Sequence, residues 1–222
     1  MPLKILVEVM SCKPDRPKQR GPRESWIKEW GHLVDYKFLL GEGNVDEQPD
    51  EWIFPWVPDD WNSVFKKDQA SHRRVLDLDY DYVFHISLDC YPIVPRLLND
   101  ARMLEKTGYP YYGGRSDGDY LGGAGYWLSR RALEATAAAP SNFHQYDDAA
   151  IGDILRAAGI QKITDDRYNS RDQQGPHFPY EDPTIWQTYE GQKCSVHLGR
   201  GTGSFDPQWM IDCHRSYLNA QG

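Results

Sequence analysis

Two spacings of apolar residues organise this chain. Short, nearly unbroken apolar runs end in loops or glycine: "LKILVEVM" (Leu3 to Met10), "VDYKFLLGEG", and "YDYVFHISLDC", where Tyr82-Val83-Phe84-His85-Ile86 leads into Ser87-Leu88-Asp89. Such runs, bounded by turn residues, predict buried strands. Between them the spacing changes to that of helices. Trp26, Ile27 and Trp30 predict a helix in "RESWIKEWGHL", and a second spans Trp61 to Leu76. Val94, Leu97, Leu98, Ala101 and Leu104 predict a third, with Pro95 tolerated in its first turn. "SRRALEATAAA" predicts a helix with Ser129 as N-cap. In "DDAAIGDILRAAGI", Ile151, Ile154, Leu155 and Ala158 line one face and Gly159 supplies the stop.

"YPYYGG" and "YLGGAGYWLS" read as strands or extended glycine-rich segments, and the C-terminal quarter predicts few regular elements. Strands alternating with helices, without repeats or a linker, imply an α/β sandwich around a mostly parallel sheet. In such sheets ligands sit outside the carboxyl ends of the strands.

Composition narrows this picture. At 222 residues the chain fits one domain, and 40% hydrophobic with 26% charged residues is ordinary for a globular protein. Its 8 Trp and 14 Tyr are more distinctive, because many fall in polar stretches such as "DEWIFPWVPDDW" and "EDPTIWQTYEGQ". Aromatics placed there suit sugar faces and flat ligands, or equally roof a core. A net charge of −8 excludes indiscriminate nucleic-acid binding. Two basic groups stand out locally: Lys13, Arg16, Lys18, Arg20 and Arg23 after the first strand, and Lys66, Lys67, His72, Arg73 and Arg74. Most such runs are solvated faces, but a basic loop after a first strand is also placed for a phosphate contact. The four cysteines lack zinc or C-x-x-C spacing and predict reduced thiols. No apolar run has membrane-spanning length and "MPLKILVEVMSCK" does not read as a signal peptide, so a cytoplasmic protein is expected, unless a targeting segment was trimmed.

Four constellations carry candidate chemistry. Asp89, delivered at a strand end, either holds a Mn²⁺ or Mg²⁺ ion bridging a diphosphate or caps the following turn. Gly122, Gly123 and Gly125 in "LGGAGYWLSR" permit close backbone approach to a ligand, or form a tight bulge before a helix. Of Asp147 and Asp148, N-capping accounts for one, leaving the second as a candidate general base. His197, with His177 as rival, becomes a metal ligand only if the chain returns it to Asp89.

In order, these segments resemble the inverting β-1,3-glycosyltransferase family of fringe and core 1 galactosyltransferase. "VMSCK" then "RESW" resembles the family's basic stretch and Arg-x-Thr-Trp helix, with Ser25 in place of Thr. "YDYVFHISLDCYPIVPRLL" fits the frame of its acidic triplet and following helix, with Asp89 on the last acid and Ser87 and Leu88 replacing the others. "YLGGAGYWLSRRAL" resembles its glycine-rich element, and "YDDAAIGDILRAAGI" the element carrying its catalytic base. The likeness runs from about Leu3 to about Ile160; the family's disulfides and membrane anchor are not evident.

The resemblance implies a GT-A fold, a Rossmann-like nucleotide-sugar-binding domain. One domain would span 1–222, with a nucleotide-binding half to about residue 90 and an acceptor half beyond it. It implies inverting transfer from a UDP-sugar to an acceptor hydroxyl. Ser11, Lys13, Arg23 and Ser87 would face the nucleotide; the three glycines would face the sugar; Asp89 and His197 would hold Mn²⁺ or Mg²⁺; Asp148, with Asp147 beside it, would act as base. Trp127 and Trp186 are candidate stacking residues, though Trp127 also fits a core. The acceptor is a glycan, a small molecule, a protein, or a hydroxymethylated base in phage DNA, which would need flipping from the duplex. A catalytically silent sugar- or nucleotide-binding relative is the competing class.

Overall fold

The computed structural model describes residues 3–114, 120–122, 124–140, 146–168, 194–198 and 205–221. Gly123, His177, Trp186 and the His197 side chain lie outside the described residues. Strand β1 (Ile5–Met10) is followed by a 3-10 turn and two short helices, α1 (Arg20–Glu24) and α2 (Trp26–Trp30). Then come β2 (Asp35–Leu40), β3 (Glu51–Ile53), α3 (Val64–Asp77), β4 (Tyr82–Ser87), β5 (Cys90–Pro92) and α4 (Val94–Thr107). The remainder is β6 (Tyr111–Gly113), β7 (Tyr126–Ser129), α5 (Arg130–Ala138), α6 (Asp147–Ala157), β8 (Ile163–Thr164), β9 (Ser195–His197) and α7 (Pro207–Gln221).

The central sheet runs β3-β2-β1-β4-β7-β6-β8, and a separate two-stranded ribbon pairs β5 with β9. Around β1 the pairings are parallel, whereas β7 runs antiparallel to both its neighbours. Alternation along β1 explains the two cores. Val7 and Val9 join one with Trp26 and Trp30 of α2, Leu97 and Leu104 of α4 and Met210 of α7. Leu6 joins the other with Phe65 and Val75 of α3, Leu133 of α5 and Ile151 and Leu155 of α6. The sheet is thus sandwiched between two helical layers.

Several expectations need correction. The single helix expected across "RESWIKEWGHL" breaks at Ser25, where φ and ψ are −115° and −109°. Its hydroxyl donates to Gly21 O at 2.6 Å, the local side-chain bond by which serine competes with helix. "DEWIFPWVPDDW" is not simply an aromatic loop: it contains β3 and buries Trp52, Phe54 and Val57, leaving Trp56 and Trp61 exposed. Near the C-terminus α7 is a regular helix, because Met210, Cys213 and Tyr217 fall on one face and dock into the core. Ser129 does sit at the N-cap of α5, yet its hydroxyl makes no capping bond. Trp127 is core: it is buried and its indole donates to Tyr168 Oη at 2.8 Å.

Candidate active site

Parallel register brings the ends of β1 and β4 side by side. Met10 pairs with Ser87, so Ser11 lies one residue beyond the pair and Asp89 two. Ser11 is buried: its hydroxyl accepts from Gln19 Nε2 at 3.2 Å and its carbonyl from Lys67 Nζ at 2.6 Å. After Ser87 the chain turns into β5, which pairs antiparallel with β9, Cys90 opposite His197. Leu198 N then donates to Asp89 O at 2.8 Å. The main chain therefore returns His197 next to half-buried Asp89, across a separation in sequence that no local pattern reveals.

Asp59 ties three rim loops together. Its carboxylate accepts from Lys13 N at 2.6 Å, Asn44 Nδ2 at 2.8 Å and the buried Lys67 Nζ at 2.7 Å. Lys13 projects into solvent from this knot. Arg23 is placed differently from the nucleotide contact expected of it. Its guanidinium pairs with both Asp50 oxygens, at 2.8 and 2.9 Å, and lies over the Phe38 ring. The rest of the first basic group is also largely paired with acids: Arg16 with Glu51, Lys18 with Asp15 and Arg20 with Glu24. In the second group Lys67 and His72 are buried, so it is not one solvated face.

The glycine-rich turn is pinned to the same edge. Leu121 N donates to Tyr111 Oη at 2.8 Å, and Ser195 Oγ of β9 donates to Ala124 O. Gly122 O accepts from Gly125 N at 3.4 Å. Gly125 has φ +135°, and a Cβ there would overlap the Phe84 ring and lie 3.2 Å from Ile86 Cγ2. Close packing on the sheet therefore already requires this glycine. Gly125→Ala is expected to destabilise the fold by about 2–4 kcal/mol, from backbone strain plus overpacking, read as a lower urea midpoint.

The two acids at the head of α6 differ in surroundings. Asp148 is half-buried, with Oδ1 accepting from Ala149 N at 2.8 Å. Asp147 Oδ2 lies 3.4 Å from His85 Nε2. Behind His85 is a polar cluster that sequence reasoning missed: Glu8 of β1, Asp68, Ser71 and His72 of α3, and Tyr126 of β7, whose ring stacks on His85 at 4.9 Å. Burial pushes the Glu8 carboxyl up, but the His72 and His85 imidazoles outweigh it and hold it at about 2. Burial raises Asp68 well above the usual carboxylate range. For His85 burial disfavours the charged ring, yet Asp68, Asp147 and Glu8 raise it well above an ordinary histidine. Asp147 is pushed up by burial and held below its usual range by His85. Glu8, Asp68 and His85 each offer an atom within 4.8 Å of the others, a spacing that would admit a metal ion. The available signal was Glu8 as the charged residue inside "ILVEVM", and Glu8 proves to be the direct cross-strand partner of His85.

Beside Asp147, exposed Tyr146 meets exposed Trp61 edge-on, ring centroids 5.9 Å apart. Among the described residues no helix is long and apolar enough to cross a membrane.

No family model and no curated protein matches the chain. Solved structures do. A glycosyltransferase involved in glycosylation of the major capsid of PBCV-1 superimposes with a TM-score of 0.55 at 12% identity, covering 96% of this chain and 99% of that one. The chain has a GT-A fold. The glycosyltransferase GlyE of Streptococcus pneumoniae TIGR4 superimposes with a TM-score of 0.51 at 12% identity over 99% of this chain, which spans 62% of the GlyE chain. At this identity the shared property is the fold, which in this chain is built on a mostly parallel sheet.

Proposed function

We propose that this chain is an inverting glycosyltransferase that moves a sugar from a UDP-linked donor to an acceptor hydroxyl. The observation that carries the reading is the β5–β9 ribbon, which returns His197 to Asp89 beside Ser11 and Ser87 at the ligand edge of a GT-A sheet. Ser11 and the solvent-facing Lys13 would meet the nucleotide, and the turn at Gly122 the sugar. Arg23 has no part in this arrangement, since it neutralises Asp50. Carboxylate and imidazole are donors that Mn²⁺ accepts, and half-buried Asp89 with His197, whose main chain runs alongside, would hold the ion. Such an ion supplies Lewis-acid neutralisation of the departing diphosphate.

Asp148 takes the proton of the acceptor hydroxyl as its oxygen attacks the anomeric carbon. The bond from that carbon to the diphosphate oxygen breaks, and its electrons leave on the nucleoside diphosphate, inverting the centre. Trp61 and Tyr146 form a rim on which an acceptor sugar face stacks, favouring a glycan acceptor. The largely acid-paired cations of the first basic group offer little to a DNA backbone, which favours the glycan over a modified DNA base.

Calorimetric titration with nucleoside diphosphate sugars, with and without Mn²⁺, tests this reading. One donor is expected to bind only with metal. Asp89→Ala should weaken that binding by at least the roughly 10–100-fold that losing even an outer partner of a metal site costs. No donor binding under either condition would leave the likeness as one of fold alone.

A further inference from the structure

We propose that Glu8, Asp68 and His85 form a second divalent-cation site, buried beneath the rim and separate from Asp89, which fixes Asp147 through His85. All three residues are fully buried. Each comes from a different element, β1, α3 or β4, and the β1–β4 register sets Glu8 opposite His85. His85 Nδ1 lies 3.7 Å from Glu8 Oε2 and 3.6 Å from Asp68 Oδ1. These separations are too long for hydrogen bonds. They suit donors that share a central ion, because two ligand atoms each about 2.1 Å from one ion lie up to about 4 Å apart, and all three donors fall within 4.8 Å of one another.

The three atoms facing this point, Glu8 Oε2, Asp68 Oδ1 and His85 Nδ1, are among those without hydrogen bonds. Glu8 Oε2, both Asp68 oxygens and both His85 nitrogens are buried with no hydrogen-bond partner among the described residues. Buried polar atoms are otherwise nearly always paired, and buried carboxylates lacking a counter-charge are rarer still. Among the described residues no lysine or arginine forms an ion pair with Glu8 or Asp68; the only basic groups facing them are the His72 and His85 rings, at 3.6–3.7 Å. Lys67, on the same helix, turns instead to Asp59 and the Ser11 carbonyl. Ser71 Oγ donates to Glu8 Oε1, holding the carboxylate so that its other oxygen faces inward.

The outer contacts match those of a metal-bound imidazole. With Nδ1 toward the ion, His85 Nε2 is turned toward Asp147 Oδ2, 3.4 Å away, where a small shift would close the carboxylate–histidine hydrogen bond that fixes ring tautomer and orientation. His72 adds a nitrogen on the same side, its Nε2 3.6 Å from Glu8 Oε2. Thr136 Oγ1 donates within its own helix to the Ala132 and Leu133 carbonyls, so its oxygen accepts from His72 Nδ1 at 2.7 Å. Two carboxylates and imidazole nitrogen suit a transition ion such as Mn²⁺ or Zn²⁺ better than Mg²⁺ or Ca²⁺, and a dication cancels both acids.

The test is metal content after loading with Mn²⁺ or Zn²⁺ and gel filtration, on wild type, Asp89→Ala and Asp68→Asn. Wild type and Asp89→Ala are expected to retain one equivalent, and Asp68→Asn to lose it. Chelation should lower Tm equally in the first two. Because Asp68→Asn is a core change that can fail to fold, Co²⁺ loading of wild type and Asp89→Ala gives a second readout. Both should show the visible absorption of a nitrogen-containing site, unchanged by added UDP. The proposal is overturned if wild type retains no ion and shows no Co²⁺ band. It is equally overturned if the ion or the UDP-indifferent band is lost in Asp89→Ala, or if the ion persists in Asp68→Asn. None of these readouts needs a donor or an acceptor, so failure of the glycosyltransferase reading would not be mistaken for failure of this one.

Discussion

Asp148→Asn is expected to cut turnover by about 10²–10⁴-fold, the usual contribution of a positioned general base, while donor affinity stays within about twofold. Slow hydrolysis of the donor, with water standing in for the acceptor, reads this without knowing the natural acceptor. The proposed base is Asp148 rather than its neighbour. Asp147 is committed to the buried His85 at 3.4 Å, so protonating it during the reaction would break an ion pair inside the protein. Asp148 is partly open to solvent at the head of α6. Asp147→Asn should therefore act mainly on stability and on the placement of α6, with a smaller fall in turnover. Turnover surviving in Asp148→Asn but not in Asp147→Asn would reverse the assignment. A silent binding relative would hydrolyse no donor in either variant or in wild type, while still binding it.

The parts of this fold written in local spacing were legible before the structure. The β1 and β4 runs, the helical faces of α4 and α6, and the stop at Gly159 (φ +70°) follow from periodicity and glycine chemistry. What escaped is what depends on partners far away in sequence. The three-residue strands β5 and β9 are too short to show a period, yet they decide where His197 lies. Arg23 looked like a phosphate contact because its loop follows a first strand, but its counter-charge, Asp50, stands 27 residues on. The buried cluster was hidden for a related reason. Glu8 and His85 each sit inside an apparently apolar run, and only the β1–β4 register puts them together on the face that α3 covers with Asp68. An ionisable residue at a core-facing strand position is a signal in itself, since such residues are almost never fully buried without partners.

Asp59→Ala is expected to destabilise the protein by about 3–5 kcal/mol, the cost of leaving one member of a buried ion pair alone. The side chains of Lys67 and Asp59 are only 2% and 5% exposed, so solvent screens the pair little. Removing the carboxylate strands the Lys67 ammonium on the Ser11 carbonyl alone and frees the Lys13 and Asn44 contacts at the same time. A urea midpoint measures the loss, and Asp59→Ala combined with Lys67→Met separates its causes. If the penalty is chiefly the orphaned charge, the double variant recovers most of the stability, because a buried pair replaced by apolar groups is often nearly neutral. Donor affinity should not recover with it. The loop that positions Ser11 and Lys13 still lacks its anchor in the double variant, so a stable protein that binds donor poorly is the expected result. Full recovery of both would mean that Asp59 neutralises Lys67 and contributes nothing to shaping the proposed nucleotide rim.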